Sequence, residues 1–144
     1  MRRLFTATAA LIILVVIVSC GGKKEAIRTS EDSRIATEAF KVVEDIKEAY
    51  LKKDVQTIER NTTREGFKVI SQTVRRFDSA SLNFNPVWTE IEQDGTVNLN
   101  VSWTGTWKRG SSTFDERGMA VFVLKGRPLK VDAIVRENPF RYPE

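Results

Sequence analysis

The 144 residues hold one thiol, Cys20, and no imidazole. A cysteine sulfur is a strong nucleophile once ionised, so Cys20 is the first place to look for chemistry. Residues 4–18 form an uncharged apolar run, with Arg2 and Arg3 before it and Ser19 between it and the thiol. A charged start, a short apolar middle and a small residue before the cut describe an export signal over 1–19. A membrane-spanning helix needs about 20 apolar residues; this run has 15, two of them Thr, which is marginal for a span and ordinary for a signal. Elsewhere reactive groups are sparse. Without His the usual general base near neutral pH is missing. Most Asp and Glu residues fall on expected solvated faces or turns, and no metal-ligand cluster, phosphate loop or nucleophile pattern stands out. The sequence assigns no catalytic residue, no metal and no cofactor.

Ile17-Val18-Ser19-Cys20, followed by Gly21-Gly22-Lys23-Lys24, resembles the lipobox of bacterial lipoproteins. The resemblance implies a diacylglycerol on the Cys20 sulfur, cleavage before it, and a membrane as partner through that lipid. Gly21, where inner-membrane retention would favour Asp, implies a bacterial cell envelope protein anchored to the outer membrane and facing the periplasm. The Arg pair lacks the preceding Ser or Thr of a twin-arginine signal, which favours the general secretory route. As the only Cys, Cys20 leaves no intrachain disulfide to form in a compartment that would allow one.

Removing 1–19 takes two Arg and no acid, so 23 Lys and Arg become 21 against 19 Asp and Glu, a net charge of +2. Acids and bases alternate along the expected helices instead of gathering on one face, which argues against nucleic acid as a partner. The expected organisation is 1–19 signal, 20–30 lipidated Cys and tether, and 31–144 one α+β domain large enough for its own core. Ten tether residues reach roughly 35 Å, which keeps that domain close to its membrane.

Ser30, with Glu31 and Asp32 behind it, predicts the N-terminus of a helix over about 31–53. Ile35, Ala39, Val42, Val43, Ile46, Ala49 and Tyr50 form its apolar stripe, leaving Lys41, Glu44 and Glu48 solvated. Asp54 caps a short helix carrying Val55 and Ile58. A third helix starts at Thr62, where Thr62-Thr63-Arg64-Glu65 has capping-box spacing, and buries Phe67, Ile70, Val74 and Phe77.

After Asp78 the period becomes two. Leu82-Asn83-Phe84 opens a strand that Pro86 marks as an edge or bend. Val97, Leu99, Val101 and Trp103 alternate with polar residues in the second strand. The third, apolar from Met119 to Leu124, reads as covered on both faces. Leu129, Val131, Ala133 and Val135 alternate in the fourth. A three-residue Gln93-Asp94-Gly95 loop pairs Ile91 with Val97 and Val87 with Val101, and places Trp88, Asn98, Asn100, Ser102 and Thr104 on the outer face. Two registers stay open for the next hairpin. One points Asp115 and Arg117 inward. The other sets Phe114 against Gly105, turns Glu116, Gly118 and Ala120 the same way, and is favoured because it buries one charge, not two.

Three N-terminal helices, the first ending in Ala49-Tyr50-Leu51-Lys52-Lys53-Asp54, and an antiparallel four-stranded meander resemble the nuclear transport factor 2-like, cystatin-like cone superfamily. The resemblance covers about 30–135. It implies a curved sheet wrapped around the long helix to enclose a conical pocket. Members include ketosteroid isomerase- and scytalone dehydratase-like enzymes, small-molecule binders and dimerising assembly subunits, so fold alone does not settle function. Scytalone dehydratase-like chemistry uses His, which this chain lacks. Ketosteroid isomerase-like chemistry needs an Asp base with a Tyr and a protonated Asp; Tyr50 is available, but no Asp falls inward in the favoured register. An enzyme is therefore not expected.

Tyr50, Phe84, Trp103 and Trp107 are the candidate pocket residues, either filling the core or facing an apolar ligand. Trp88 and Asn100 are the candidate interface, an outward Trp suggesting protein contact. The tail Asn138-Pro139-Phe140-Arg141-Tyr142-Pro143 either folds back onto the sheet or docks to a partner. The leading expectation is a noncatalytic, lipid-anchored domain that dimerises or binds an envelope protein. The alternatives are an apolar-ligand pocket protein and an enzyme of unassigned chemistry.

Overall fold

The computed structural model describes residues 30–143, so the export signal, Cys20 and the tether to residue 29 lie outside the described residues, as does Glu144. The order is α1 (Glu31–Lys52), α2 (Val55–Arg60), α3 (Arg64–Ser71), then β1 (Ser79–Ile91), β2 (Val97–Arg109), β3 (Ser112–Lys125) and β4 (Lys130–Arg136). The strands form one antiparallel sheet in sequence order. Three helices and a four-stranded meander make an α+β domain, the class expected from the sequence.

Ser30 caps α1 by accepting from the Ser33 N–H at 3.2 Å, and Lys53 ends it in the left-handed conformation at φ 58°. The expected stripe faces the sheet, with Ala39, Val43, Ile46 and Tyr50 fully buried; Val42 is only half-buried. Glu44, expected in solvent, is also half-buried. Lys47 draws it in: the Lys47 stem is buried, and its Nζ lies 2.6 Å from Glu44 Oε2 and 5.6 Å from the Phe84 ring centroid. A long aliphatic stem covers apolar surface while its charge keeps a partner.

Asp54 caps α2 through the Thr57 N–H. Thr63, not Thr62, caps α3, accepting from Gly66 N–H at 3.3 Å. Thr62 is instead drawn into a parallel bridge with Val131. Gly66 is required at this junction: a Cβ there would sit 2.1 Å from the Val131 carbonyl oxygen. Helix α3 ends at Ser71, so Val74 and Phe77, both buried, belong to the turns after it; Phe67 is half-buried.

The first hairpin follows the expected three-residue loop. Ile91 pairs with Val97, Glu92 N–H donates to Thr96 O at 2.8 Å, and Gly95 sits at φ 85°. Val87, however, does not face Val101. A bulge between Pro86 and Trp88 brings Pro86 opposite Val101, on an edge strand where the missing Pro N–H is harmless. In the second hairpin Phe114, Glu116, Gly118 and Ala120 share the inward side as favoured, but two residues along from the expected pairing: Phe114 faces Trp107 and Glu116 faces Gly105. The shift sets a large ring beside a large ring without exchanging faces.

Strand β4 departs further. A register shift at Val123/Leu124 leaves Asp132 unpaired in the ladder. Leu129 and Val131 therefore point inward and are buried, whereas Ala133 and Val135 lie on the outer face, Val135 opposite Val121. One extra residue reverses the alternation. The outer side of β3 is correspondingly only half-buried at Met119, Val121 and Val123, not covered as its sequence suggests.

Candidate functional site

Tyr50 ends the buried stripe of α1 against the sheet. Its hydroxyl accepts from the Trp107 indole N–H at 3.4 Å and lies 3.5 Å from Thr73 Oγ1. Thr73 has one proton, which it donates to the Phe140 carbonyl, so Tyr50 is the donor to Thr73. The result is a directed chain from Trp107 through Tyr50 and Thr73 to the tail. Burial, outweighing both hydrogen bonds, raises the Tyr50 pKa above its usual 10, which keeps the phenol protonated as the chain requires.

Phe140 closes the space between helix and sheet. It is fully buried, its ring centroid 5.0 Å from Tyr50, 5.8 Å from Phe84 and 6.1 Å from Phe122. Trp103 and Trp107 meet edge-on at 6.3 Å, and the Trp103 indole N–H donates to Glu137 O at 3.1 Å. Tyr142 stacks edge-on against Phe114. The Asn138 side chain turns the tail by accepting from Phe140 N–H at 2.9 Å. Tyr50, Phe84, Trp103 and Trp107 all lie in one buried cluster, and Tyr50, Phe84 and Phe122 pack around Phe140. Of the two readings of the tail, this is the one in which it folds back. Pro139 and Pro143, which flank the aromatics, are buried with them.

The other face of the sheet carries a cross-strand row of Trp88, Asn100, Val121 and Val135, paired in that order across β1 to β4. Trp88 is 50 % exposed, Val135 51 % and neighbouring Val87 55 %. Asn100 corrects the expectation of a surface contact: it is only 2 % exposed, and its side-chain nitrogen has no hydrogen-bond partner. Directly opposed side chains sit about 4.5–5.5 Å apart, so the short Asn100 lies sunk between Trp88 and Val121. Sequence reasoning missed the two valines. Val135 was hidden by the bulge, and Val121 by a run that read as covered on both sides.

Among the described residues no group of His, Cys, Asp and Glu is placed to hold a metal, and no helix is long and apolar enough to cross a membrane. Cys20 lies outside them. No known protein family matches the chain, and neither a curated protein nor a solved structure matches it.

Proposed function

We propose that this is a lipid-anchored, noncatalytic domain of the bacterial envelope, held to the outer membrane through Cys20, whose outer sheet face dimerises or binds a protein in an assembly. The observation that carries the reading is the row from Trp88 to Val135. Half-exposed apolar side chains from β1, β3 and β4 gather there around the buried Asn100 of β2, and an exposed apolar patch marks a contact surface. The inner side supports the same reading. In the cystatin-like cone that we take this fold to be, the pocket is where a ligand would sit, and here Phe140 lies among the pocket residues. That favours a binding module over an apolar-ligand carrier. The full-length protein, captured from envelopes in neutral detergent and analysed by native mass spectrometry, should appear as a dimer or with a stoichiometric protein partner. A bare monomer, or a monomer with a retained small ligand, contradicts the proposal.

A further inference from the structure

Where the tail leaves β4 it borders a cleft of about 730 Å³ lined by Trp103, Arg117, Arg136, Asn138 and Arg141, with Glu116 and Glu137 among the remaining residues. All three arginines are exposed. Among the described residues none of the three guanidinium groups has an ion-pair or hydrogen-bond partner, whereas that of Arg60 donates to Thr57. Arg136 adopts φ 68°, a left-handed conformation that costs a residue with a Cβ and clusters at functional sites.

The corner holding Arg136 in that conformation is built from its neighbours. Glu137 N–H donates to Met119 O at 3.1 Å, Glu137 Oε2 accepts from Met119 N–H at 2.7 Å, and Glu137 O accepts from Trp103. Gly118 makes room for it, since a Cβ there would lie 2.1 Å from Glu137 Oε2. One Glu137 oxygen is therefore committed to the backbone, leaving Glu116 as the unengaged acid in a lining that is net positive by one. Each guanidinium presents five N–H donors in a planar fork suited to oxyanions.

We propose that this cleft binds a phosphate ester carrying a neighbouring hydroxyl. Arg117, Arg136 and Arg141 hold the phosphate, and Glu116 accepts from the hydroxyl. A phosphate oxyanion, close to doubly charged in a monoester and singly charged in a diester, suits three unpaired arginines. Glu116 repels a bare anion and selects for a donor beside it. A soluble polyol phosphate and the headgroup of a glycerophospholipid share this chemistry. Arg117, paired with Thr104, reaches the cleft from the outer side of β3, but none of Trp88, Asn100, Val121 and Val135, on which the proposed function rests, lines it.

The test titrates the full-length protein in neutral detergent with glycerol 3-phosphate, following the backbone amide signals of Gly118, Arg136 and Asn138. Saturable shifts are expected, weakened about tenfold or more by loss of one charge-assisted contact in Arg136→Gly or Arg141→Ala. Gly accepts positive φ without strain, so Arg136→Gly should keep its melting temperature while losing affinity. Repeating the titration in phosphatidylcholine nanodiscs with and without phosphatidylglycerol separates the sources. Competition by phosphatidylglycerol assigns the site to a lipid headgroup, and undiminished binding assigns it to a soluble ester. No saturable shift, or equal affinity in both variants, overturns the proposal.

Discussion

The Tyr50 hydroxyl is engaged on both sides, by the Trp107 N–H and by Thr73, so removing it orphans a buried donor and an acceptor together. Tyr50→Phe should cost about 1–3 kcal/mol, read as a lowered urea midpoint; an unchanged midpoint would show that the chain to Phe140 carries no stability. Asp132 tests a different residue-level claim. Its carboxyl is held below the usual carboxylate range, first by the hydrogen bond from Lys125 and then by that from Thr63, at 2.8 Å each. A depressed carboxylate stabilises the fold above its unfolded pKa near 4 and loses that contribution as pH falls through the lower folded value. Asp132→Asn should therefore be less stable than wild type at neutral pH, with the gap closing on acidification below about pH 4. A gap that persisted in acid would mean that the carboxylate's charge is not what ties β4 to the β3–β4 turn and the start of α3.

Among the elements, α1 was the most legible, because a 22-residue helix repeats its apolar signal many times and one error of phase would show. Val43 is fully buried and Glu48 exposed. Val43→Asp should bury an unpaired charge at a cost of several kcal/mol, enough to unfold a domain of roughly 5–15 kcal/mol total stability. Glu48→Ala should stay within about 0.5 kcal/mol of wild type. Thermal melts decide, and a harmless Val43→Asp would refute the helix phase. The first hairpin was legible for a related reason: only the three-residue loop keeps Ile91 and Val97 on one face. Strand β4 was not, because nothing local in Lys130–Arg136 distinguishes continuous alternation from alternation interrupted at Asp132. That bulge is decided by docking, since the Val131 carbonyl is taken by the Thr63 N–H and the Asp132 carboxylate by Thr63 and Lys125. Asn100 escaped similarly: polar alternation correctly placed it outward, but depth on that face depends on side chains from two other strands.

The domain as a whole presents two unlike surfaces of one sheet, and the candidate site divides between them. The burial of Tyr50, Phe84, Trp103 and Trp107 was legible from their spacing, yet the tail packed against Tyr50 and Phe84 was left open, because two aromatics between prolines read as a plug or as a docking segment. The outward position of Trp88 was legible from the hairpin register, while the extent of the outer row appears only once four strands are in register. The proposal also places the whole domain at a membrane. Cys20→Ser should leave unprocessed precursor without lipid, because acyl chains hold a protein on a bilayer through about 0.8 kcal/mol per buried CH₂. Recovery of the variant at the mature mass with the same lipid label would contradict the anchor.

The outer face is the central claim, and Trp88→Ala tests it most directly, by sedimentation velocity and a thermal melt on the same full-length protein in neutral detergent. Interface energy concentrates in a few large side chains at roughly 2 kcal/mol or more each, and half of the Trp88 surface is open to solvent. The account predicts weakened self-association or partner capture, with the melting temperature of the monomer nearly unchanged. Unaltered association with stability reduced by about 3–5 kcal/mol, the cost of a large core cavity, would contradict it and return Trp88 to the core.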